Sequence, residues 1–381
     1  MAPLLDLHVW GESSRLLSKL RDYYLDDVSV ANDVPAVSPT TALLCAVVFT
    51  VVYVAPFYLS PTLRSTPIQS RDSPTVIRAR VRAVGLTCIV CTVVTVYVLA
   101  VEGHAGPRDV LRLLAVWPTD PLDIAKTLAL VAVLFVGPLY ESIIVNDDWR
   151  EWSFSALKEG LFDSWTGYRN LIVAPASEEY VFRSLTISTH LLAKVSPTRI
   201  VFLTPLIFGL AHLHHLVEFL QSRTPEGRRL PSGSVWISGI VRSLFQFTYT
   251  SLFGFFAAFV LLRTGNLWAA IVAHTFCNWM GLPRLWGRVG QFASHYDVHI
   301  TPDVAQGKRD EDPGSPVKVA NSSTQRQDDY EDKAAQMMQH GPKNLGVEWT
   351  VAYYALIVAG SYGFYLLLWP LTESRNALAA F

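Results

Sequence analysis

The chain has 381 residues, of which 51% are hydrophobic and only 17% are charged. A soluble protein carries about a quarter charged residues, and here the apolar residues gather in long runs, so the composition predicts an all-α, polytopic integral membrane protein. The formal net charge is -1 and no basic stripe stands out, which argues against nucleic acid as a partner.

The chain divides by composition into four parts. Residues 1–40 are a polar lead-in without the apolar region of a signal peptide, and residues 41–286 form a membrane domain. Residues 287–347 are rich in Asp, Glu, Lys, Gln, Ser and Pro and are predicted to be a flexible polar insertion. Residues 348–381 hold the last transmembrane helix and a C-terminal tail. The eight predicted spans are Thr41–Leu59, Ala83–Val101, Ile124–Val145, Leu171–Ala193, Arg199–Leu220, Val235–Leu262, Asn266–Trp286 and Glu348–Leu371.

Positive charge predicts the orientation of these spans. The connection after the first span is interpreted as a loop with five arginines and one acid, so the positive-inside rule places it in the cytosol and the N-terminus in the lumen. The arginines are Arg64, Arg71, Arg78, Arg80 and Arg82. Asn321, in Asn321-Ser322-Ser323, carries the glycosylation pattern, and this orientation predicts that it stays unmodified.

Two adjacent carboxylates and a guanidinium interrupt the fourth predicted span, at Glu178, Glu179 and Arg183. Ionisable groups inside a bilayer are costly, so these three should face a protected cavity. Glu179 and Arg183 are i,i+4 neighbours that can pair, while Glu178 points away and is available as a general base. The alternative interpretation is an ion-pair network that only holds helices together.

Two later spans also carry polar groups. His212, His214 and His215 follow Phe208 in the fifth span, and single histidines there are most often satisfied core or interfacial residues. In the seventh span His274 and Asn278 lie at i,i+4 on one helix face, where two donors can stabilise an oxyanion. Alone, that pair is better explained as an interhelical hydrogen bond.

The combined set is sufficient for amide hydrolysis. A carboxylate and a histidine can deprotonate a water, and a His/Asn pair can hold the oxygen of the attacked carbonyl, without any metal. A zinc site made of Glu178, His212, His215 and His274 remains an alternative, although the sequence has no His-Glu-x-x-His run. A thiol nucleophile at Cys277, three residues after His274, is a further alternative.

Three motifs in this order resemble those of the type II CAAX prenyl proteases, the Ras-converting enzymes. They are Glu-Glu-x-x-x-Arg from Glu178, Phe-x-x-x-His from Phe208 and His-x-x-x-Asn from His274. The motif-bearing core is residues 171–286, and the run Phe-Gly-x-Ala-His-x-His-His is similar to the eukaryotic branch of a wider group that includes bacteriocin-processing and immunity proteins.

This resemblance implies an endopeptidase of the endoplasmic reticulum membrane, reached from the cytosol, that removes the aaX tripeptide from farnesylated or geranylgeranylated CAAX proteins such as small GTPases. Glu178 and His212 would activate water, His274 and Asn278 would form the oxyanion site, and Glu179 with Arg183 would support them. No cofactor is implied.

Substrate contacts are predicted at two further residues. Arg242, with Gln246 one turn later, is a candidate receptor for the substrate's terminal carboxylate, and Phe208 is a candidate substrate contact. A snorkelling arginine is the alternative interpretation for Arg242. Two other function classes stay open at this point: a non-catalytic membrane scaffold or immunity-type protein, and a transporter in which the polar groups line an ion path.

Overall fold

Every regular element in the described part of the chain is a helix, as the composition predicts. The structure is a computed structural model that describes residues 34–60, 62–63, 72–150, 152–224, 228, 230–290 and 345–381. Most of the predicted lead-in 1–40 and of the insertion 287–347 lies outside these residues, as do Arg64, Arg71 and Asn321. The residues from Val37 onward belong to one compact unit.

Twelve helical segments organise these residues, with a single further turn at Asp148–Arg150. In chain order they are α1 Pro39–Leu59, α2 Pro74–Glu102, α3 Pro107–Leu113, α4 Pro121–Leu134, α5 Val136–Val145, α6 (residues 154–163), α7 (residues 165–192), α8 Pro197–Ala211, α9 His214–Ser222, α10 Gly233–Thr264, α11 Leu267–Met280 and α12 Val347–Leu371.

Five of the described helices are long and apolar enough to cross a membrane: α1, α2, the run Pro197–Gln221 that joins α8 to α9, α10 and α12. A sixth span is possible where α4 and α5 meet at a bend of 78°. The predicted count of eight is not confirmed. The two remaining predicted spans correspond to α7 and α11. Helix α11 has only 14 residues, and α7 carries four acidic or basic residues, Arg169, Glu178, Glu179 and Arg183.

Prolines determine where several helices begin. Pro39, Pro74, Pro121 and Pro197 each occupy the first turn of a helix, where the fixed φ of proline suits the backbone and its missing N–H costs nothing. The prediction that Arg78, Arg80 and Arg82 belong to a loop is therefore wrong, because α2 begins at Pro74 and not at Ala83. Arginine is a good helix former and fits these early turns.

Helix α7 lies at the centre of the bundle, and α1, α2, α8, α10 and α11 all pack against it. Residues 181–190 of α7 are buried without interruption. A helix segment that is buried on every face must be surrounded by other helices, so Arg183, and Glu179 just before this segment, are shielded from lipid.

Helices α8 and α10 approach each other closely beside α7. A Cβ atom added at Gly254 of α10 would lie 2.5 Å from Pro205 Cβ of α8 and 2.9 Å from Nη2 of Arg183. Only glycine leaves room for this contact, which brings α10 next to the charged residues of α7.

Candidate active site

The two adjacent glutamates occupy an irregular part of α7. Residues Ala174–Glu179 are α-helical, but they lie between π-helical turns at Arg169–Val173 and Tyr180–Leu185. Such turns widen a helix locally and are frequent at functional sites. The local backbone therefore singles out the same stretch that the charged residues do.

Glu179 and Arg183 form a deeply buried ion pair, which confirms the pairing predicted from their spacing. Oε1 of Glu179 lies 3.2 Å from Nη1 of Arg183, and the two residues are 0% and 1% exposed. The Arg183 guanidinium carbon lies 4.2 Å from the ring centroid of Phe208 and 5.8 Å from that of Phe253. Two aromatic rings thus add cation–π contacts to a charge that is already paired.

His274 joins this pair from helix α11. Its Nδ1 lies 2.7 Å from Glu179 Oε1, the same oxygen that contacts Arg183, across 95 residues of sequence. The ring also packs against Phe253 at a centroid distance of 4.7 Å. A carboxylate beside Nδ1 fixes the proton on that nitrogen and leaves Nε2 for a ligand.

Asn278 lies one turn after His274 on α11, as predicted. Its side-chain Nδ2 donates a hydrogen bond to the backbone carbonyl of Asn170 at 2.9 Å, and Thr275 Oγ1 donates to the carbonyl of Leu171 at the same distance. These bonds fasten α11 to the π-helical turn before the glutamates. Because an amide nitrogen carries two hydrogens, Asn278 still has one N–H for a second acceptor.

Glu178 differs from its neighbour in having no fixed partner. It makes no hydrogen bond or ion pair with any residue that the structure describes, although it lies within electrostatic range of His274, Glu179 and Arg183. The side chain is half-buried. The structure thus separates the two adjacent carboxylates into one that is fully engaged and one that is not.

His212 ends helix α8 close to the same charges. Its Nδ1 lies 3.0 Å from the carbonyl oxygen of Phe208, and its ring packs edge-on against the Phe208 ring at 4.7 Å. A carbonyl can only accept, so Nδ1 carries the proton and Nε2 keeps its lone pair. His212 also lies within electrostatic range of His274 and Arg183.

Three buried polar atoms at the centre of this cluster have no hydrogen-bond partner in the described protein. They are Oε2 of Glu179 and both Nη atoms of Arg183, of which Nη1 contacts Glu179 only as an ion pair. Buried polar atoms are nearly always satisfied, so orphaned ones mark places where water or a substrate completes the set. The cluster therefore combines an unpaired carboxylate, two oriented imidazoles and open hydrogen-bonding positions.

The described residues hold one group that could bind a metal ion, and it differs from the zinc set considered above as an alternative. His214, His215 and Glu218 bring one ligand atom each to within 4.8 Å of one another. Glu218 is already engaged there, with Arg80 Nη2 at 3.0 Å and His215 Nδ1 at 3.3 Å. Glu178, His212 and His274 do not form such a group.

Comparison with known proteins places this site in a family. The profile described as "Type II CAAX prenyl endopeptidase Rce1-like" matches residues 160–280. A "Probable CAAX prenyl protease 2" from Schizosaccharomyces pombe is 36% identical over 242 residues, covering 64% of this chain and 81% of that protein. The chain belongs to the type II CAAX prenyl endopeptidases.

Two further relatives agree with this placement. The CAAX prenyl protease 2 of Caenorhabditis elegans is 30% identical to this chain, over 60% of the chain and 79% of that protein. The human CAAX prenyl protease 2 is 38% identical over 31% of this chain and 32% of its own length. No solved structure gives a significant match.

Sequence reasoning missed several residues that position the site of the endopeptidase. Phe253 touches both His274 and Arg183, Tyr53 shares a buried hydrogen bond of 2.9 Å with Ser177, and Asn170 anchors Asn278 through its carbonyl. Contacts made by aromatic rings and backbone carbonyls leave no recognisable spacing pattern in the sequence. Glu218 was detectable, since it is an isolated acid in an apolar run, whereas Arg80 was noted only as one of a row of arginines.

The two predicted substrate contacts lie in different surroundings. Phe208 is 2% exposed and is packed between Arg183, His212 and Phe182, so its predicted substrate contact stays a prediction. Arg242 is half-buried on α10, with its guanidinium carbon 5.1 Å from the centroid of Phe219. It lines a pocket next to His215.

Proposed function

We propose that this endopeptidase hydrolyses the peptide bond after the prenylated cysteine of a CAAX protein and releases the aaX tripeptide, using a water activated by Glu178. The single observation that carries the proposal is the division of labour between adjacent carboxylates. Glu179 is held by Arg183 and His274 at 3.2 Å and 2.7 Å, while Glu178 makes no hydrogen bond or ion pair with the described residues. A general base must be free to accept a proton.

Water activation is assigned to Glu178 together with His212. The carboxylate of Glu178 takes a proton from water as the oxygen attacks the carbonyl carbon. The Nε2 lone pair of His212, set by the bond from Nδ1 to the Phe208 carbonyl, accepts a hydrogen bond from the same water. The proton held by Glu178 then passes to the leaving amine nitrogen as the carbon–nitrogen bond breaks.

The negative charge that develops on the carbonyl oxygen is assigned to His274 and Asn278. His274 is oriented by Glu179, and a protonated Nε2 would donate to the oxyanion. Asn278 has one N–H left after its bond to Asn170. Donors that are fixed before the reaction stabilise an oxyanion without reorganisation, and the low dielectric of a membrane site strengthens them.

The membrane contributes to substrate selection in this proposal. A prenyl chain partitions into lipid by about 0.8 kcal/mol for each buried CH₂, so it is held among the acyl chains while the peptide end enters between helices. We assign the enzyme to the endoplasmic reticulum membrane, with the site open to the cytosol, and prenylated small GTPases to its substrates. Membership of the family supports the location and the substrates, and the predicted orientation supports the cytosolic opening.

The test uses purified enzyme in detergent and a farnesylated CAAX peptide, with the released tripeptide identified by mass spectrometry. Glu178→Gln keeps the shape of the side chain but cannot accept a proton, and we expect it to abolish release. His212→Ala should also abolish release, while Glu373→Ala, at an exposed glutamate near the C-terminus, should not change it. Thermal unfolding of each variant checks folding. Release at the wild-type rate by a folded Glu178→Gln would contradict the proposal.

A further inference from the structure

A pocket between α9 and α10 lies beside the candidate active site and has no part in the chemistry proposed above. It adjoins the histidine cluster, because the rings of His212 and His215 lie 5.9 Å apart. It is narrow, with space for about one water-sized group, and its lining residues are His215, Phe219, Gly239, Arg242, Ser243 and Gln246.

Two side chains in this pocket carry donors without acceptors. Gln246 is 5% exposed, and its Nε2 has no hydrogen-bond partner among the described residues. Nη1 of Arg242, one turn earlier on the same helix face, is also buried and without a partner. Arg223 lies within electrostatic range and adds a second positive charge. A planar acceptor with negative charge, such as a carboxylate, would satisfy both donors.

The same face of α10 leads from this pocket to the reaction centre. Phe253, which packs against His274 at 4.7 Å, lies seven residues after Gln246 on an uninterrupted helix. At 1.5 Å per residue, the two positions are separated by about 10 Å along the helix axis. Three extended residues also span about 10 Å.

From this agreement we propose that the pocket binds the free C-terminal carboxylate of the substrate through Arg242 and Gln246, and thereby fixes the cleavage site three residues upstream. The inference rests on the proposed function, since it places the scissile carbonyl beside His274. It adds a specificity element to that function, because the pocket selects the very end of a chain rather than an internal segment.

The neighbouring contacts suit this role. The Arg242 guanidinium carbon lies over the Phe219 ring, 5.1 Å from its centroid, in a cation–π contact that uses none of its N–H groups. Arg242 makes no hydrogen bond or ion pair to a carboxylate within the described parts of the chain. A guanidinium can bind a carboxylate with two parallel hydrogen bonds, which fixes direction as well as position.

The experiment compares two farnesylated peptides that differ only at the C-terminus, one with a free carboxylate and one with a carboxamide. For the wild type we expect kcat/KM to fall about 10- to 100-fold on the carboxamide, as for loss of a hydrogen-bonded charge. Arg242→Met should lower kcat/KM on the carboxylate peptide by a similar factor. On the carboxamide peptide its kcat/KM should be close to that of the wild type. Gln246→Leu should show the same pattern with a smaller loss.

Two controls keep the result interpretable. Arg263→Met makes the same substitution at the other end of α10, where the arginine contacts Trp369, and should leave the ratio between the two peptides unchanged. Arg242→Lys keeps the charge and should retain part of the preference for the carboxylate. Equal losses on both peptides in Arg242→Met, or no preference in the wild type, would overturn the inference.

The two proposals fail in different ways. The ratio between the peptides is measured on active enzyme, so it reports on the pocket whichever residue activates the water. If Glu178→Gln stayed active while the ratio behaved as expected, the chemistry proposed for Glu178 would be wrong and the pocket would stand.

Discussion

The buried contact between Glu179, Arg183 and His274 predicts that removing both charges of the ion pair costs less stability than removing one of them. Replacing Glu179 by Gln leaves a guanidinium that is 1% exposed without its counter-charge, and replacing Arg183 by Met leaves a fully buried carboxylate with only His274 beside it. The double variant removes both charges and keeps similar volumes. We expect it to be more stable than either single variant.

The magnitude follows from the burial. Breaking a buried ion pair on one side costs about 3–5 kcal/mol, whereas replacing both partners by neutral groups is often close to neutral. A loss of that size is a large part of a total stability of about 5–15 kcal/mol. The loss in Arg183→Met should lie at the lower end, because His274 Nδ1 still donates a hydrogen bond to Glu179.

Stability and activity should separate in the double variant. We expect Glu179→Gln with Arg183→Met to fold but to cleave about 10²–10³ times more slowly, because His274 loses the carboxylate that orients it and one oxyanion donor is misplaced. Unfolding in detergent and kcat/KM on a farnesylated peptide measure the two properties. A double variant as unstable as the sum of the single variants, or as active as wild type, would refute this reasoning.

Three other variants test separate parts of the structure. Asn278→Ala should lower kcat by about 10²–10³ with little change in KM, and a change confined to KM would contradict its role at the oxyanion. Cys277→Ala should leave cleavage close to wild type, since the thiol packs in an apolar cluster, and an inactive but folded protein would revive the thiol mechanism. Gly254→Ala should destabilise the protein by about 1–3 kcal/mol by overpacking, while Gly85→Ala, where an added Cβ meets nothing within 4 Å, should be neutral or stabilising. Equal unfolding temperatures for the two glycine variants would show that α8 and α10 pack less tightly than the distances around Gly254 indicate.

The spacing of residues along the sequence predicted the contacts and shared faces that lie within a single helix. The pairing of Glu179 with Arg183 and the shared face of His274 and Asn278 both follow from the 3.6-residue period, and both are present in the structure. The helical class also follows from composition alone. Helix boundaries were less predictable, because hydropathy places the start of α2 at Ala83 while Pro74 sets it nine residues earlier.

Contacts between distant helices could not be predicted from spacing. His274 reaches Glu179 across 95 residues, and Asn278 reaches Asn170 across 108. Nothing in either local sequence specifies the partner, since the contacts depend on how α7 and α11 pack. The number of spans was also difficult to predict. The polar central helix α7 and the short helix α11 resemble ordinary spans when only their hydropathy is considered.

The shortness of α11 has a consequence for the water that the enzyme uses. A helix of 14 residues extends about 21 Å, whereas the hydrocarbon layer of a bilayer is about 30 Å thick. Helix α11 is therefore too short to cross that layer by itself, in agreement with its absence from the five described helices that can. Asn278 lies two residues before its C-terminal end. A helix that ends inside the hydrocarbon layer would leave space beyond its last turn for water, which is the second substrate of a hydrolase.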